Sequence, residues 1–188
     1  IMAFGAGILI SALSFNLMEE AYHRGGLLAS LLGFILGVLL YSAANGILDL
    51  YGAKHRKRSN RKDKAVASGA VATAIALGAL LDGIPEATAI GVSLLDGEGV
   101  ALVTVFSIFM SNIPEGLSSS AGMKKAGHNA TYVFGLWISI ALISALSAWL
   151  GYRFIGQLGD MYIAGVTAVA AGAILVMIVQ TMIPEAVE

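Results

Sequence analysis

The chain has 188 residues, of which 57% are hydrophobic and only 12% are charged, and its formal net charge is −1. Its mean hydropathy of +0.83 excludes an ordinary water-soluble domain and a disordered chain. It contains no cysteine, which excludes disulfides, thiolate metal ligands and cysteine nucleophiles. The composition therefore predicts a membrane protein.

Six apolar stretches divide the chain, each near or above the ~20 residues that a membrane-spanning helix needs. The predicted helices cover residues 1–18, 26–50, 66–94, 99–122, 130–152 and 161–183. The 23 glycines fit helices that pack closely in lipid. The sequence predicts an all-α, polytopic transmembrane helix bundle, in which residues 1–188 form a single domain. The apolar start and the abrupt end lead us to expect further helices beyond both.

The 11 lysines and arginines are distributed unevenly. Seven lie in the segment 51–65, and Lys124 and Lys125 lie between the fourth and fifth predicted helices. Six alternating helices place these connections on one side, and Arg24 and Arg153 on the other. The positive-inside rule makes the first side cytoplasmic. We therefore predict a plasma-membrane protein whose basic segment 51–65 is a cytoplasmic loop with a topological role and no nucleic-acid partner. The alternative for this segment is a metal-sensing role or binding to anionic lipid.

All three prolines lie in the same tripeptide, which occurs as Ile84-Pro85-Glu86, Ile113-Pro114-Glu115 and Ile183-Pro184-Glu185. The first two copies lie inside predicted membrane helices, where proline removes a backbone donor and kinks the helix. A glutamate beside a loosened helical turn is unfavourable at membrane depth. This pattern is therefore typical of a site that a cation passes.

The two kinked helices carry related hexapeptides, at residues 82–87 and 111–116. The first and fifth residues of each are four apart, so they share one helix face. Antiparallel helices that present the same acid favour a site across a pseudo-twofold axis. Because no predicted span contains a Lys or Arg, we expect a divalent cation to supply the countercharge. The candidate metal ligands from these helices are Asp82, Glu86, Ser111, Asn112 and Glu115.

Two further acids each have two interpretations. Glu185, at the cytoplasmic end of the sixth predicted helix, either lines the mouth of the cation pathway or lies in solvent at the end of the helix. Asp49, one turn after Asn45, either lines an inner exit or ends the second helix in solvent. Glu19 and Glu20 are expected at the outer interface.

This arrangement resembles the ZIP family of divalent-metal transporters, whose fourth and fifth helices carry His-Asn-x-Pro-Glu-Gly and Gln/Glu-Asn/Asp-x-Pro-Glu-Gly signatures. The fourth predicted helix matches this pattern at Asn112, Pro114, Glu115 and Gly116, whereas the third matches only at Pro85 and Glu86. Residues 15–21 are similar to the family's second helix, and residues 182–186 to its seventh. The resemblance implies the second to seventh helices of an eight-helix fold, with the first and eighth absent. It also implies a homodimer and a place for Asn16 on the metal pathway.

The departures from the family pattern concern the choice of metal. Asp82 stands where the family has a histidine, Gly83 where it has an asparagine, and Ser111 where it has Gln or Glu. No histidine lies within a predicted span. Carboxylate and carbonyl ligands suit Mg²⁺ and Mn²⁺, although zinc also accepts Asp and Glu oxygens. The resemblance therefore implies zinc, whereas the residues favour a harder ion and a single metal.

The sequence thus predicts a transporter, not an enzyme, that moves a divalent cation into the cytoplasm and has no cofactor apart from its transported ion. One alternative is a proton-coupled carrier of a small solute that uses Glu86 and Glu115 as proton relays. A second is an intramembrane hydrolase with Asp49 and Asp82 as its acids. The Gly-x-Gly-Asp pattern of aspartyl types is absent, and a serine type lacks a base within the spans.

Overall fold

The computed structural model describes residues 2–48, 68–96, 98–125 and 127–187. Its α-helices are α1 (Met2–Ala12), α2 (Met18–Leu48), α3 (Ser68–Ser93), α4 (Glu98–Lys125), α5 (Ala130–Leu150), α6 (Asp160–Met177) and α7 (Ile183–Ala186). A 3₁₀ turn, Leu94–Asp96, follows α3. Within these ranges the chain contains no β-strand, so the all-α prediction is confirmed there.

Three π-helical turns, each of five residues, extend these helices: Leu13–Leu17, Gly151–Ile155 and Ile178–Met182. The last of them connects α6 to α7, where Pro184 occupies the first turn. The backbone is helical through Met182, and Pro184 has no N–H to donate to the preceding turn. The third Ile-Pro-Glu tripeptide thus begins a short helix, whereas Pro85 and Pro114 lie inside α3 and α4.

A backbone break at Gly26 separates the first two predicted helices. Gly26 has φ 70° and ψ −176°, a conformation that costs little only for glycine. Met18 and Phe34, on either side of the break, pack against the same buried cluster. That cluster consists of Ala21, Ala29, Ala164 and Ala168. The two halves of Met2–Leu48 therefore meet on the same part of α6.

Three described segments are long and apolar enough to cross a membrane: Met2–Leu48, Ala130–Ile155 and Asp160–Met182. The first contains two of the predicted spans, because Gly26 divides it. Helices α3 and α4, with 26 and 28 residues, also have the length for a crossing. These features are consistent with an integral membrane protein. The full count of six spans stays a prediction.

Helix α6 is the central helix of the bundle and packs closely on the second half of α2. A Cβ atom at Gly37 would lie 2.1 Å from the carbonyl oxygen of Val169, and one at Gly172 would lie 2.2 Å from that of Phe34. These contacts leave no room for a side chain, so the two backbones touch directly. The absence of side chains at these glycines therefore permits the close packing of α2 on α6.

Helices α3 and α5 form a second pair of this kind. A Cβ at Gly91 would lie 2.1 Å from the carbonyl oxygen of Ala148. The opposite surface of α5 is apolar and exposed, as expected for a lipid-facing helix; it presents Phe134, Ile138, Leu142, Leu146 and Trp149. Helix α4 packs against α1, where a Cβ at Gly5 would lie 3.2 Å from Cα of Ser111.

The basic segment 51–65 and Asp49 lie outside the described residues. The cytoplasmic placement of that segment and the inner exit at Asp49 stay predictions.

Candidate functional site

A cavity of about 320 Å³ lies between α3, α4 and α5. Its acidic and amide side chains are Glu86 from α3 and Asn112 and Glu115 from α4. The rest of the lining is mainly apolar, with Ser119, Ser144 and Trp137 as the other polar residues. The cavity thus combines the glutamates of the first two Ile-Pro-Glu tripeptides.

Helical periodicity explains how these residues reach one cavity. On α3 the cavity face consists of Ala79, Gly83, Glu86, Ala87 and Ile90, at spacings of three and four residues. On α4 it consists of Ile108, Asn112, Glu115, Gly116 and Ser119, with similar spacings. Pro114 instead lies near α1, since a Cβ at Gly5 would be 3.4 Å from its ring. The proline and the glutamate of the second tripeptide therefore face different neighbours.

The two helices are joined across the cavity by a hydrogen bond. Nδ2 of Asn112 donates to Oε2 of Glu86 at 3.0 Å. Glu86 and Glu115 are 2% and 7% exposed, so both carboxyl groups are removed from solvent contact in the bundle. The bond leaves the carboxamide oxygen of Asn112 as an acceptor. The cavity therefore offers two carboxyl groups and an amide oxygen.

Asp82 lies outside the lining of this cavity. It is 2% exposed, and its Oδ1 accepts a hydrogen bond from the hydroxyl of Tyr41 on α2. Asp82 is one turn before Glu86, but four residues rotate a helix by about 40° beyond a full turn. The structure therefore places Asp82 beside the cavity face, directed at a different helix.

Ser111 and Asn16 are also separated from the cavity. Ser111 is buried on the α1 side of α4, and its hydroxyl donates to the carbonyl oxygen of Ile108 at 2.8 Å. Asn16 lines a second, smaller cavity of about 10 Å³, with Glu20, Ser93, Thr104 and Thr167 among its other polar residues. That volume corresponds to about one water molecule. The six predicted ligands thus lie in separate places, and only Glu86, Asn112 and Glu115 share a cavity.

Two polar residues in this region were not predicted from the sequence. Tyr41 lies within an apolar stretch of the sequence. Because a buried tyrosine hydroxyl normally has a hydrogen-bond partner, its position there could have predicted a polar contact. Gln180, in the π turn after α6, accepts a hydrogen bond from Nδ2 of Asn45 at 2.9 Å. It was visible as the one amide side chain of the sixth apolar stretch. The side chain of Glu185, on α7, falls outside the described residues.

At the other end of α2, Arg24 connects two helices. Its guanidinium donates to Glu20 on the same helix and to Oδ1 of Asp160 on α6, the latter at 3.1 Å. His23 lies 3.8 Å from Glu19. Glu19 and Glu20 thus each have a basic neighbour one turn away, as is common at helix ends.

Oxygen ligands of this kind suit hard divalent cations. Among the residues that the structure describes, no three His, Cys, Asp or Glu side chains group together as a metal site. A bound ion would therefore use Glu86, Glu115 and the amide oxygen of Asn112, completed by water or hydroxyl oxygens. No protein-family model, curated protein or solved structure matches the chain.

Proposed function

We propose that the chain carries a divalent metal cation across a membrane into the cytoplasm, and that the cation passes through the cavity between α3, α4 and α5. The observation that supports this most is that the buried side chains of Glu86 and Glu115, from two matched motifs, line one cavity. Two carboxylates at low dielectric repel each other unless cations or protons balance them. Among the described residues that line the cavity there is no Lys or Arg.

The proposed transporter is similar to the ZIP family and has six spans in this chain. The break at Gly26 supports two spans within Met2–Leu48, and helices α3 to α6 supply four more. In this proposal they correspond to the second to seventh helices of that fold. The basic segment 51–65 is cytoplasmic, the membrane is the plasma membrane, and two chains form the transporter.

The transported ion in this proposal is a hard divalent cation such as Mn²⁺, with Zn²⁺ as a competing substrate. The cavity supplies only oxygen atoms from its acidic and amide residues, and such ligands favour Mn²⁺ and Mg²⁺ over ions that prefer nitrogen. Zinc is also bound by carboxylates, so the same cavity accepts it.

The test is metal uptake into proteoliposomes by the purified chain and two isosteric variants, Glu86→Gln and Glu115→Gln. Each variant removes one charge without changing the volume of the side chain. We expect each to reduce Mn²⁺ and Zn²⁺ uptake by about tenfold or more, equivalent to ~1.4 kcal/mol of lost interaction. Asp160→Asn is the matched control, since Asp160 is exposed and lies outside the cavity. Uptake at the level of the unmodified chain in both glutamine variants would disprove the site.

A proton-coupled carrier of a small organic solute is the second candidate, because of the size of the cavity. At about 320 Å³ and with a mainly apolar lining, it is within the range of small-molecule sites. Uptake measured with and without a pH gradient separates the two functions. A metal transporter loads Mn²⁺ in the absence of any organic solute, whereas the carrier does not. The hydrolase alternative, which needs Asp49 and Asp82 as a facing pair, has no similar support. Asp82 is hydrogen-bonded to Tyr41, and Asp49 lies outside the described residues.

A further inference from the structure

The hydrogen bond between Tyr41 and Asp82 links the candidate site to a helix that contributes nothing to the cavity. Both side chains are buried, at 3% and 2% exposure. The phenol hydroxyl donates to Oδ1 of Asp82, and a bond from a neutral donor to a carboxylate is among the stronger hydrogen bonds of proteins. Asp82 is therefore held towards α2.

Asp82 is also next to the cavity face of α3. It lies one turn from Glu86 and about 40° around the helix from it. Rotation about χ1 moves an aspartate carboxyl group between staggered positions. The carboxyl group is observed towards α2, and a change of rotamer is the movement that would redirect it towards the side on which Glu86 lies.

Tyr41 is held in a position from which its hydroxyl keeps the Asp82 carboxyl group directed at α2. One turn before it, Gly37 brings the backbone of α2 against Val169 of α6, with no space for a Cβ atom. Tyr41 itself belongs to the buried core that contains Ala170 and Ile174 of α6. The donor thus projects from a helix whose position is set by direct backbone contact.

We propose that Tyr41 is a positioning residue that keeps Asp82 out of the metal shell and so determines which divalent cation the cavity prefers. This inference rests on the proposed function. With the bond in place, the shell contains Glu86, Glu115 and Asn112. Without it, Asp82 turns to the cavity and adds a third carboxylate, which strengthens the preference for hard ions.

The experiment measures the ratio of Mn²⁺ to Zn²⁺ uptake in proteoliposomes for the unmodified chain, Tyr41→Phe, Asp82→Asn and the double variant. Tyr41→Phe removes only the hydroxyl and keeps the ring in the core. We expect it to raise the Mn²⁺/Zn²⁺ ratio by about threefold or more, with a lower KM for Mn²⁺. Asp82→Asn should keep the original ratio, and Tyr41→Phe should have no effect on the ratio in the Asp82→Asn background.

Two outcomes in the folded variants decide against the inference. An unchanged ratio in Tyr41→Phe overturns it, and so does an equal shift in the presence and absence of the Asp82 carboxylate. If Tyr41→Phe does not fold, Asp82→Asn decides. Uptake and an ion ratio at the level of the unmodified chain support a shell without Asp82, whereas a loss of uptake as large as that of Glu86→Gln places Asp82 in the shell and overturns the inference. Tyr132→Phe, which removes an exposed hydroxyl on α5, is the control for the loss of a phenol group.

The failure of this inference can be told apart from a failure of the proposed function. If the unmodified chain transports metal and Glu86→Gln does not, the proposed transport function stands. The Mn²⁺/Zn²⁺ uptake ratios of the Tyr41 and Asp82 variants then test the role of Tyr41 alone. If Glu86→Gln and Glu115→Gln both transport normally, the proposed site is wrong, and the role of Tyr41 is wrong with it.

Discussion

Asn112 is the residue that connects the two halves of the cavity. Its Nδ2 donates to Glu86 on the facing helix, and its carboxamide oxygen is available to a cation. Hydrogen bonds to a charged group are worth ~1.5–3 kcal/mol when the partner is buried. Asn112 thus has two separable roles, as a donor to Glu86 and as a ligand.

Two substitutions separate these roles. Asn112→Leu removes donor and ligand together, and we expect it to reduce Mn²⁺ uptake by about tenfold or more. Asn112→Asp removes the donor but keeps an oxygen ligand and adds charge, so it should retain clearly more uptake than Asn112→Leu. Initial rates of uptake at matched protein content provide the measurement. Equal losses in the two variants would show that Asn112 acts only through Glu86.

The matched tripeptides predicted which acids would meet, because identical spacing around two prolines places Glu86 and Glu115 on equivalent faces. The same rule grouped Asp82 and Ser111 with them, but the structure places these two outside the cavity, Asp82 towards α2 and Ser111 towards α1. A step of four residues leaves about 40° of rotation. Which neighbour lies there depends on helix packing, and a single sequence carries no such information.

At the scale of helices, glycine determines which pairs pack most closely. The backbones of α2 and α6 touch at Gly37 and Gly172, and those of α3 and α5 at Gly91. The number of glycines predicted close packing in general. It did not predict these pairs, because Gly135 and Gly165 look equivalent in the sequence and have open space around their Cβ positions.

Gly37→Ala tests this packing. The new Cβ would lie 2.1 Å from the carbonyl oxygen of Val169, so α2 and α6 must separate. We expect a loss of ~1–3 kcal/mol in the free energy of unfolding, as for other overpacked sites. Thermal unfolding in detergent should show a lower Tm. Gly135→Ala, whose Cβ meets open space on α5, is the control and should unfold at the original temperature or above. An equal effect of both substitutions would refute the packing role.

At the scale of the whole molecule, the apolar stretches predicted the all-α class and the positions of three helices. The predicted ranges 66–94, 99–122 and 130–152 agree closely with α3, α4 and α5. Helix α2 begins at Met18 rather than at the predicted residue 26, because the chain is helical on both sides of Gly26, and α6 ends at Met177, where a π turn continues to Met182. Within the described ranges, three segments are long and apolar enough to cross a membrane. The acidic side chains of the candidate site, Glu86 on α3 and Glu115 on α4, are buried between helices.

A direct test of the metal site is the binding of Mn²⁺ to the purified chain, measured by electron paramagnetic resonance in detergent. The proposed cavity predicts one tightly bound Mn²⁺ per chain, displaced by excess Zn²⁺, because a single pair of acids faces a single cavity. The double variant with Glu86→Gln and Glu115→Gln should lose this signal, while Asp160→Asn should keep it. Bound Mn²⁺ that persists in the double variant, or its absence from the unmodified chain, would contradict a metal site between α3 and α4.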